Sequence, residues 1–596
     1  MALSPAQQQA VQRQLAPLVD TLEPGQLLWA SGYLAGLAAA ALPVPANAAA
    51  PSVEAGAEAV LTIWYGTETG NSRSVAERLA EAARGRGWQV ELAALDSVTP
   101  RHIARVAHLV LVISTHGDGD PPEAARAFHG FIHSERAPRL EQLRFAVFAL
   151  GDSSYPDFCQ TGRQLDQRLA ELGAGRLLKR VDCDVDFEDQ EAPWQPRCLD
   201  AFAPWLKPRS DAPHLQLVDN QSQSTLVHDR LNPFPAELLE RSPLTVAPSS
   251  KQVAHVVLSV ADSGLVWQPG DSLGLWPAND PRLVEQVIEL SGADGDARIE
   301  RNGKQSSLAE WLSDQAELTQ VVRPFLAAWA SLSEADELVA LLEDSQALAA
   351  WSRQRQVIDV LSEYPARVSA QALADALRKV APRLYSIASS ALVADDEIAL
   401  TVKLESTDGC HGRRVGVASG QLLERARPGQ RLPIYIQPND GFRLPADPDR
   451  PIIMIGPGTG VAPFRAFIEH RRAQGATGNS WLFFGERHRR TDFLYQLEWQ
   501  RWLREGALSR LSVAFSRDQE QRIYVQHRLL EEAEAIYGWL KEGAHIYICG
   551  NGSGMAADVH QALVRIIADQ AGIDREQAEQ RLAELKEQRR YQKDVY

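Results

Sequence analysis

At 596 residues the chain is too long for one hydrophobic core, and a prior of about 150 residues per domain makes three or four units the expectation. Hydrophobic residues at 45% and charged residues at 23% are ordinary globular values, which excludes collagen-like, disulfide-scaffold and wholly disordered chains. The net charge of −16 argues against nucleic acid as the main partner, because phosphate binding needs clustered Lys and Arg, and it suits a basic or cationic partner better.

From Pro5 onward apolar residues recur at helical spacing (Val11, Leu15, Leu18, Val19, Leu22), and a second apolar segment follows, so residues 1–42 read as a small helical pair. The run Leu27–Leu42 is too short to span a bilayer and is stopped by Pro43 and Pro45, so no membrane anchor is expected. Acidic Asp20 and Glu23 precede it, which does not suit a signal peptide. Residues 43–58 are Pro-, Ala- and Gly-rich and read as a linker. Residues 60–208 alternate short apolar runs (Val60–Tyr65, Leu109–Ser114, Phe145–Leu150) with amphipathic helices, the pattern of a doubly wound parallel α/β sheet. After a polar linker at 209–225, residues 226–445 read as a β-barrel with a helical insertion over about 281–380. Alternation returns over 450–596, giving a second doubly wound unit. The five cysteines (Cys159, Cys183, Cys198, Cys410, Cys549) are scattered without a C-x-x-C pair and fit neither a disulfide framework nor a metal site, so a reducing cytoplasm is the expected compartment.

The first strand opens into Gly66-Thr67-Glu68-Thr69-Gly70-Asn71-Ser72, ahead of a helix read as beginning near Ser74. Backbone N–H groups at such a turn, with the helix dipole, make an anion site. A Walker loop would close on Gly-Lys-Ser/Thr, and there is no Lys; hydroxyls alone suit a phosphate monoester that is held rather than transferred. The second strand ends in Ser114-Thr115-His116-Gly117, and the third in Leu150-Gly151-Asp152-Ser153-Ser154-Tyr155-Pro156-Asp157-Phe158-Cys159. Ligands bind at carboxyl ends of strands in such sheets. The set resembles the flavodoxin family, which implies FMN, with the first loop on its phosphate, the other two around its ring system and Tyr155 stacked on it.

In the middle region Arg383-Leu384-Tyr385-Ser386 precedes a strand containing Thr401-Val402-Lys403, and Gly416-Val417-Ala418-Ser419 follows. A guanidinium and backbone amides after Gly suit a pyrophosphate, and Tyr385 offers a ring to a flavin face. These motifs resemble the ferredoxin-NADP reductase family, which implies FAD held by those residues. Further on, Gly456-Pro457-Gly458-Thr459-Gly460 is a tight turn into a helix that lets backbone approach a pyrophosphate. Ser516 and Arg517 end a later strand and Arg522-Ile523-Tyr524-Val525-Gln526 follow; with Asp558 they complete the expected nucleotide set. Serine and two arginines suit a 2′-phosphate where an NAD site would present an acid, so NADPH is favoured over NADH. Solvated surface arginines are the bland alternative.

The chain ends Tyr591-Gln592-Lys593-Asp594-Val595-Tyr596. In the reductase family a C-terminal aromatic covers the FAD where nicotinamide must arrive, which assigns that place to Tyr596, and Ser386, Cys549 and Asp594 match the polar groups beside the hydride path. The acidic run Asp182, Asp184, Asp186, Glu188, Asp189, Glu191 reads first as a solvated face and more sharply as a docking site for a basic redox partner. The three modules in this order resemble the diflavin reductases, which implies hydride transfer from NADPH to FAD and single electrons delivered outward by FMN. The segment Glu23–Gly36, the stretch Asn439-x-x-Phe442-Arg443-Leu444-Pro445 and the ending Asp594-Val595-Tyr596 together resemble the flavoprotein-subunit family of bacterial assimilatory sulfite reductases. That resemblance implies a sirohaem iron–sulfur partner subunit that reduces sulfite to sulfide, and a homo-oligomer built through residues 1–42. The alternative is a soluble diflavin reductase serving a haem monooxygenase or another acceptor.

Overall fold

The computed structural model describes residues 60–595 apart from 117–118, 156, 207–227, 302, 410, 551 and 553. The helical pair expected over 1–42, both linkers, and the site residues Gly117, Pro156 and Tyr596 lie outside the described residues.

The first apolar runs become a parallel sheet. Strands β1 (Val60–Gly66), β2 (Gln89–Ala94), β3 (His108–Ser114), β4 (Arg144–Leu150) and β5 (Gly175–Arg176) lie in the order β2-β1-β3-β4-β5, and β6 (Val181–Cys183) also pairs with β4. Leu109 to Ile113 in β3 are completely buried, as befits a central strand covered by helices on both faces. Helix α1 (Asn71–Gly85) buries Val75, Ala76, Leu79, Ala80 and Ala83 along one stripe, and α2 (Gln160–Glu171) buries Leu165 and Leu169. α1 begins three residues before the Ser74 read from the sequence, because Gly70 takes a left-handed backbone (φ 85°) that closes the turn at once. Strand order reverses between β1 and β3, so the loops after β1, β3 and β4 meet at a topological switch point.

The second sheet is antiparallel. It contains β7 (Phe234–Pro243), β8 (Val253–Ser259) and β9 (Ser272–Leu275) before a helical insertion that holds the hairpin β10 (Arg298–Arg301) and β11 (Lys304–Ser307). After the insertion come β12 (Arg383–Ser386) and β13 (Glu397–Lys403), then the hairpin β14 (Ser406–Gly409) and β15 (Gly412–Val415), then β16 (Arg431–Gln437). The order β12-β9-β16-β7-β8-β13 is closed into a barrel by an isolated bridge, Ile387 to Leu400. The insertion opens at helix Pro281–Ser291, where the Asp280 side chain caps the Arg282 N–H, and it packs its own core around Trp311, Phe325, Trp329 and Leu373.

The third sheet is parallel again: β17 (Ile452–Ile455), β18 (Ser480–Glu486), β19 (Arg510–Phe515), β20 (His545–Gly550) and β21 (Tyr591–Val595), in the order β19-β18-β17-β20-β21. Helix α3 (Ala462–Ala473) follows β17, and α4 (Arg575–Glu587) precedes β21. The last strand is therefore no frayed tail, since Ile546 pairs with Tyr591 and Cys549 with Asp594 along the β20–β21 ladder.

The three parts belong to one compact unit, and charge fixes the first against the other two. Arg378, just before β12, reaches Asp152 at 2.8 Å and Asp184 at 3.4 Å. Lys379 pairs with Asp189, Arg230 with Glu188 at 2.5 Å, Arg73 with Asp440, and Lys586 of α4 with Glu123. The run Asp182–Glu191 is thus not a solvated acidic face: Arg180, Arg378, Arg230, Lys379 and Arg78 of the same chain pair with Asp182, Asp184, Glu188, Asp189 and Glu191.

The side chain of Arg378 is 8% exposed, so removing it strands carboxylates in a half-buried seam. Burial works to raise the Asp152 carboxyl, but Arg378 and Ser154 outweigh it and hold it below its ordinary value. A depressed carboxyl stabilises the seam above its ordinary pKa and loses that contribution as the pH falls through the folded value. Arg378→Ala should therefore loosen docking at neutral pH at a cost of about 3 kcal/mol, read as a larger radius of gyration in small-angle scattering. The wild type should expand only below about pH 4 or at high salt.

Candidate functional site

Three loops converge at the carboxyl ends of β1, β3 and β4. In the first, the Gly70 N–H donates to Thr67 Oγ1 at 2.9 Å, and the Ser114 hydroxyl donates across to Gly66 O at 3.3 Å. Glu68 points outward and accepts the Glu123 N–H at 3.1 Å, while Thr69 is exposed and Asn71 half-buried at the first turn of α1. Ser72 is completely buried, and its hydroxyl has no hydrogen-bond partner among the described residues. An orphaned hydroxyl beside the free N–H groups of α1 is the donor set a phosphate monoester needs.

In the second loop Thr115 Oγ1 accepts the Thr161 N–H at 3.2 Å, and His116 exchanges backbone bonds with Asp120. In the third, the Gly151 N–H donates to Cys183 O at 2.9 Å, Ser153 is bonded to Asp184, and Ser154 donates twice to Asp152. A Cβ on Gly151 would stand 2.9 Å from the Cys159 backbone nitrogen and from the Phe158 ring, so the close turn needs glycine there. Asp157 is exposed and packs under Gly119. Tyr155 is 48% exposed, with a ring face free for a planar ligand. The side chains of Leu150 and Cys159 lie buried in the sheet core, leaving their backbone at the loop; the Cys159 thiol faces Ala149 O and Cys183 O and shapes the loop from behind.

The barrel carries the second group. Arg383 donates to Ala381 O at 2.8 Å and to the buried Glu317 carboxylate at 3.0 Å, which fixes its guanidinium at the mouth of the barrel. Leu384 is exposed, and burial pushes the phenol of the half-buried Tyr385 up. The side chains of Thr401 and Val402 are engaged within the protein. The Thr401 hydroxyl is bonded to Tyr495 OH at 2.7 Å and Val402 is fully buried in the barrel core, so β13 can offer a ligand only backbone groups there. That edge is open, because β13 ends the strand order and its closing bridge lies at Leu400. Lys403 pairs with Glu405 at 2.7 Å. The Ser419 hydroxyl accepts the Glu405 N–H at 3.1 Å, so Gly416–Ser419 are tied to the loop after β13, with Val417 and Ala418 buried behind. A guanidinium, an accessible aromatic ring and a free backbone edge suit a dinucleotide flavin.

The third group lines a cleft of about 540 Å³ at the carboxyl ends of β17, β18 and β19, including Gly458, Ser516, Arg517, Arg522, Tyr524 and Lys251. Gly458 adopts φ 60°, and a Cβ on Gly460 would overlap the Cys549 carbonyl, so backbone alone can form this turn. Arg517 and Arg522 are exposed, with no ion pair to a described residue, and stand ready for an anion. Val525 is buried beneath the cleft, Ile523 is half-buried, and Gln526 donates to Asp558 at 3.0 Å. Thr459 sits in the turn beside Gly458. The sequence reading missed Lys251, which comes from the barrel, lines this cleft and pairs with Glu486 at 2.5 Å. Only the tertiary fold carries that signal, since nothing around Lys251 forms a motif.

Between the second and third groups lies the half-buried carboxylate of Asp594. Ser386 donates to Asp594 Oδ2 at 3.1 Å, the Cys549 thiol approaches the same oxygen at 3.7 Å, and the Asn439 amide reaches Oδ1 at 3.5 Å. Burial raises the Asp594 carboxyl, with the Ser386 and Cys549 bonds partly offsetting it. Burial, then Asp594, pushes the Cys549 thiol well up, so it stays protonated. β12, β20 and β21 thus bring together residues far apart in sequence.

Comparison with known proteins agrees with this division. Residues 63–194 match the family described as Flavodoxin, 227–420 that described as FAD binding domain, and 454–561 that described as Oxidoreductase NAD-binding domain. A protein named sulfite reductase [NADPH] flavoprotein alpha-component from Bacillus subtilis (strain 168) is 44% identical over 592 residues, covering 97% of each chain. Its namesake from Shewanella oneidensis is 43% identical over 603 residues, covering 100% of this chain and 98% of the other. That from Vibrio cholerae is 41% identical over 584 residues, covering 98% and 95%. With three sites for FMN, FAD and NADPH in one fold and this likeness along its whole length, the chain belongs to the diflavin reductase family of NADPH–sulfite reductase flavoprotein alpha-components.

Proposed function

We propose that this chain draws electrons from NADPH, passes them through FAD and then FMN, and delivers them to a sirohaem iron–sulfur subunit that reduces sulfite to sulfide. In the same reading it works in the cytoplasm as a homo-oligomer assembled through residues 1–42, since an apolar stripe below about 40 residues needs a partner to bury it. The observation that carries the redox reading is the Asp594 cluster, where side chains from the barrel and from the nucleotide sheet meet.

When bound, the flavins supply the conversion of a two-electron hydride into single electrons. The chain supplies position and charge. Arg517, Arg522 and Ser516 hold the 2′-phosphate end of NADPH, while Gly458 to Gly460 let backbone approach its pyrophosphate. Ionised Asp594 then lies beside the nicotinamide, where its charge favours the positive ring that develops as hydride leaves. The Ser386 hydroxyl and the neutral Cys549 thiol orient that carboxylate without adding a competing charge. Partner identity is tested by mixing the protein with a sirohaem iron–sulfur subunit and measuring NADPH-driven sulfide production against a haem protein acceptor. Faster reduction of the haem protein would reject the sulfite reading.

Charge-assisted bonds of about 1.5–3 kcal/mol each make Arg517→Ala raise the NADPH KM at least about tenfold, with NADH kinetics barely changed. Equal losses with both nucleotides would make the arginine structural.

Asp594 gives opposite signs for activity and stability. Its folded carboxyl is raised, so the folded state gains most when it is protonated and loses that as the pH rises through the folded value. Asp594→Asn should therefore melt no lower than wild type at pH 7, while its flavin reduction by NADPH slows at least about tenfold in stopped flow. The wild-type rate should fall as the pH drops through an acid limb above the ordinary Asp range, and that limb should vanish in the variant.

A further inference from the structure

Strand β16 leaves the barrel at Gln437, and its last residues do not stay with the barrel. The Gln437 side chain extends to the first loop of the other sheet and lies with Nε2 against Gly70, so close that a Cβ on Gly70 would overlap it. Gly70 is the residue before α1, and Ser72, with its orphaned buried hydroxyl, lies two residues on. The Gln437 amide makes no hydrogen bond of its own to any described residue and is half-buried, so its donors are free to turn to a ligand held beside Gly70. Three residues further, Asp440 pairs with Arg73 in the first turn of α1, so the approach of β16 to this loop is held by an ion pair as well as by contact.

We infer that Gln437 is a phosphate ligand contributed by the barrel, so that the FMN phosphate is gripped from two domains. The assignment rests on reading the first loop as the FMN phosphate site. The loop supplies backbone N–H groups and the Ser72 hydroxyl, all from one side; Gln437 adds a neutral donor from the opposite domain. A neutral amide suits this place. An amide carries no charge of its own and gains most when a charged acceptor is beside it. Because the donor reaches the loop only while the domains are docked, FMN binding and docking favour each other by the same factor.

The test uses the full-length protein stripped of FMN but retaining FAD, titrated with FMN and with riboflavin, which lacks the phosphate, and followed by flavin fluorescence. Wild type should bind FMN more tightly than riboflavin; no preference would overturn both the loop reading and this inference. Gln437→Ala should weaken FMN about tenfold and leave riboflavin unchanged. Gln437→Glu should weaken FMN further, since a carboxylate would face the phosphate. Asp440→Asn, which releases the Arg73 pair, should shrink the effect of Gln437→Ala when the two are combined. FAD content and the circular dichroism spectrum are measured alongside and should match wild type. An unchanged FMN affinity in Gln437→Ala, or equal losses for FMN and riboflavin, would overturn the assignment.

Discussion

A half-buried carboxylate held where two domains meet is the constraint on which the rest depends. Asp594 can occupy that place only because β21 pairs in parallel with β20 and presents it to Cys549, and because β12 presents Ser386 from the barrel. A carboxylate drawn partly out of water is costly when unpaired; here three donors from separate segments share its lone pairs. The barrel and the nucleotide sheet are thereby held in one relation, and their shared face is the place proposed above for nicotinamide to meet flavin.

The first domain is joined to this pair by different physics. Its seam is made of charged side chains, several of them partly exposed, and among the described residues no buried apolar cluster joins it to the other two. Pairs of this kind are directional and sensitive to salt, and individually weak unless desolvated, so they give a specific orientation without the permanence of a hydrophobic interface. A domain that must exchange electrons inwardly and outwardly is served by such a seam.

Much of the architecture was legible because it rests on periodicity and punctuation. Fully buried runs such as Leu109–Ile113 are continuous in sequence, and the glycine turns after β1 and β17 stand out from any neighbourhood. β2 escaped notice because its residues are only partly buried, so Gln89–Ala94 carries no continuous apolar run. The acidic run looked like a solvated face because its cations, Arg230, Arg378 and Lys379, lie in another domain. Side-chain direction was the other hidden quantity. Thr401 and Val402 sit in the expected strand, yet Tyr495 takes one hydroxyl and the barrel core takes the other side chain. The partners of Asp594 were named only through family resemblance, and Lys251 and Gln437 could be found only once the chain was folded.

The helical insertion also bears on the order in which the chain folds. β9 and β12 are neighbours in the barrel, yet the whole insertion separates them in sequence. Closing so long a loop from a disordered chain would cost considerable entropy before any strand contact repaid it. The insertion has its own core around Trp311, Phe325 and Trp329, and Asn279 at its entry donates to Leu312 O and Ala316 O while Lys379 at its exit is bridged to Ala316. Its two ends are thus brought together by its own packing. Barrel closure then becomes a short-range event that waits on the insertion, and damage to that distant core would reach the flavin site as a delay in assembly while every flavin contact stayed intact.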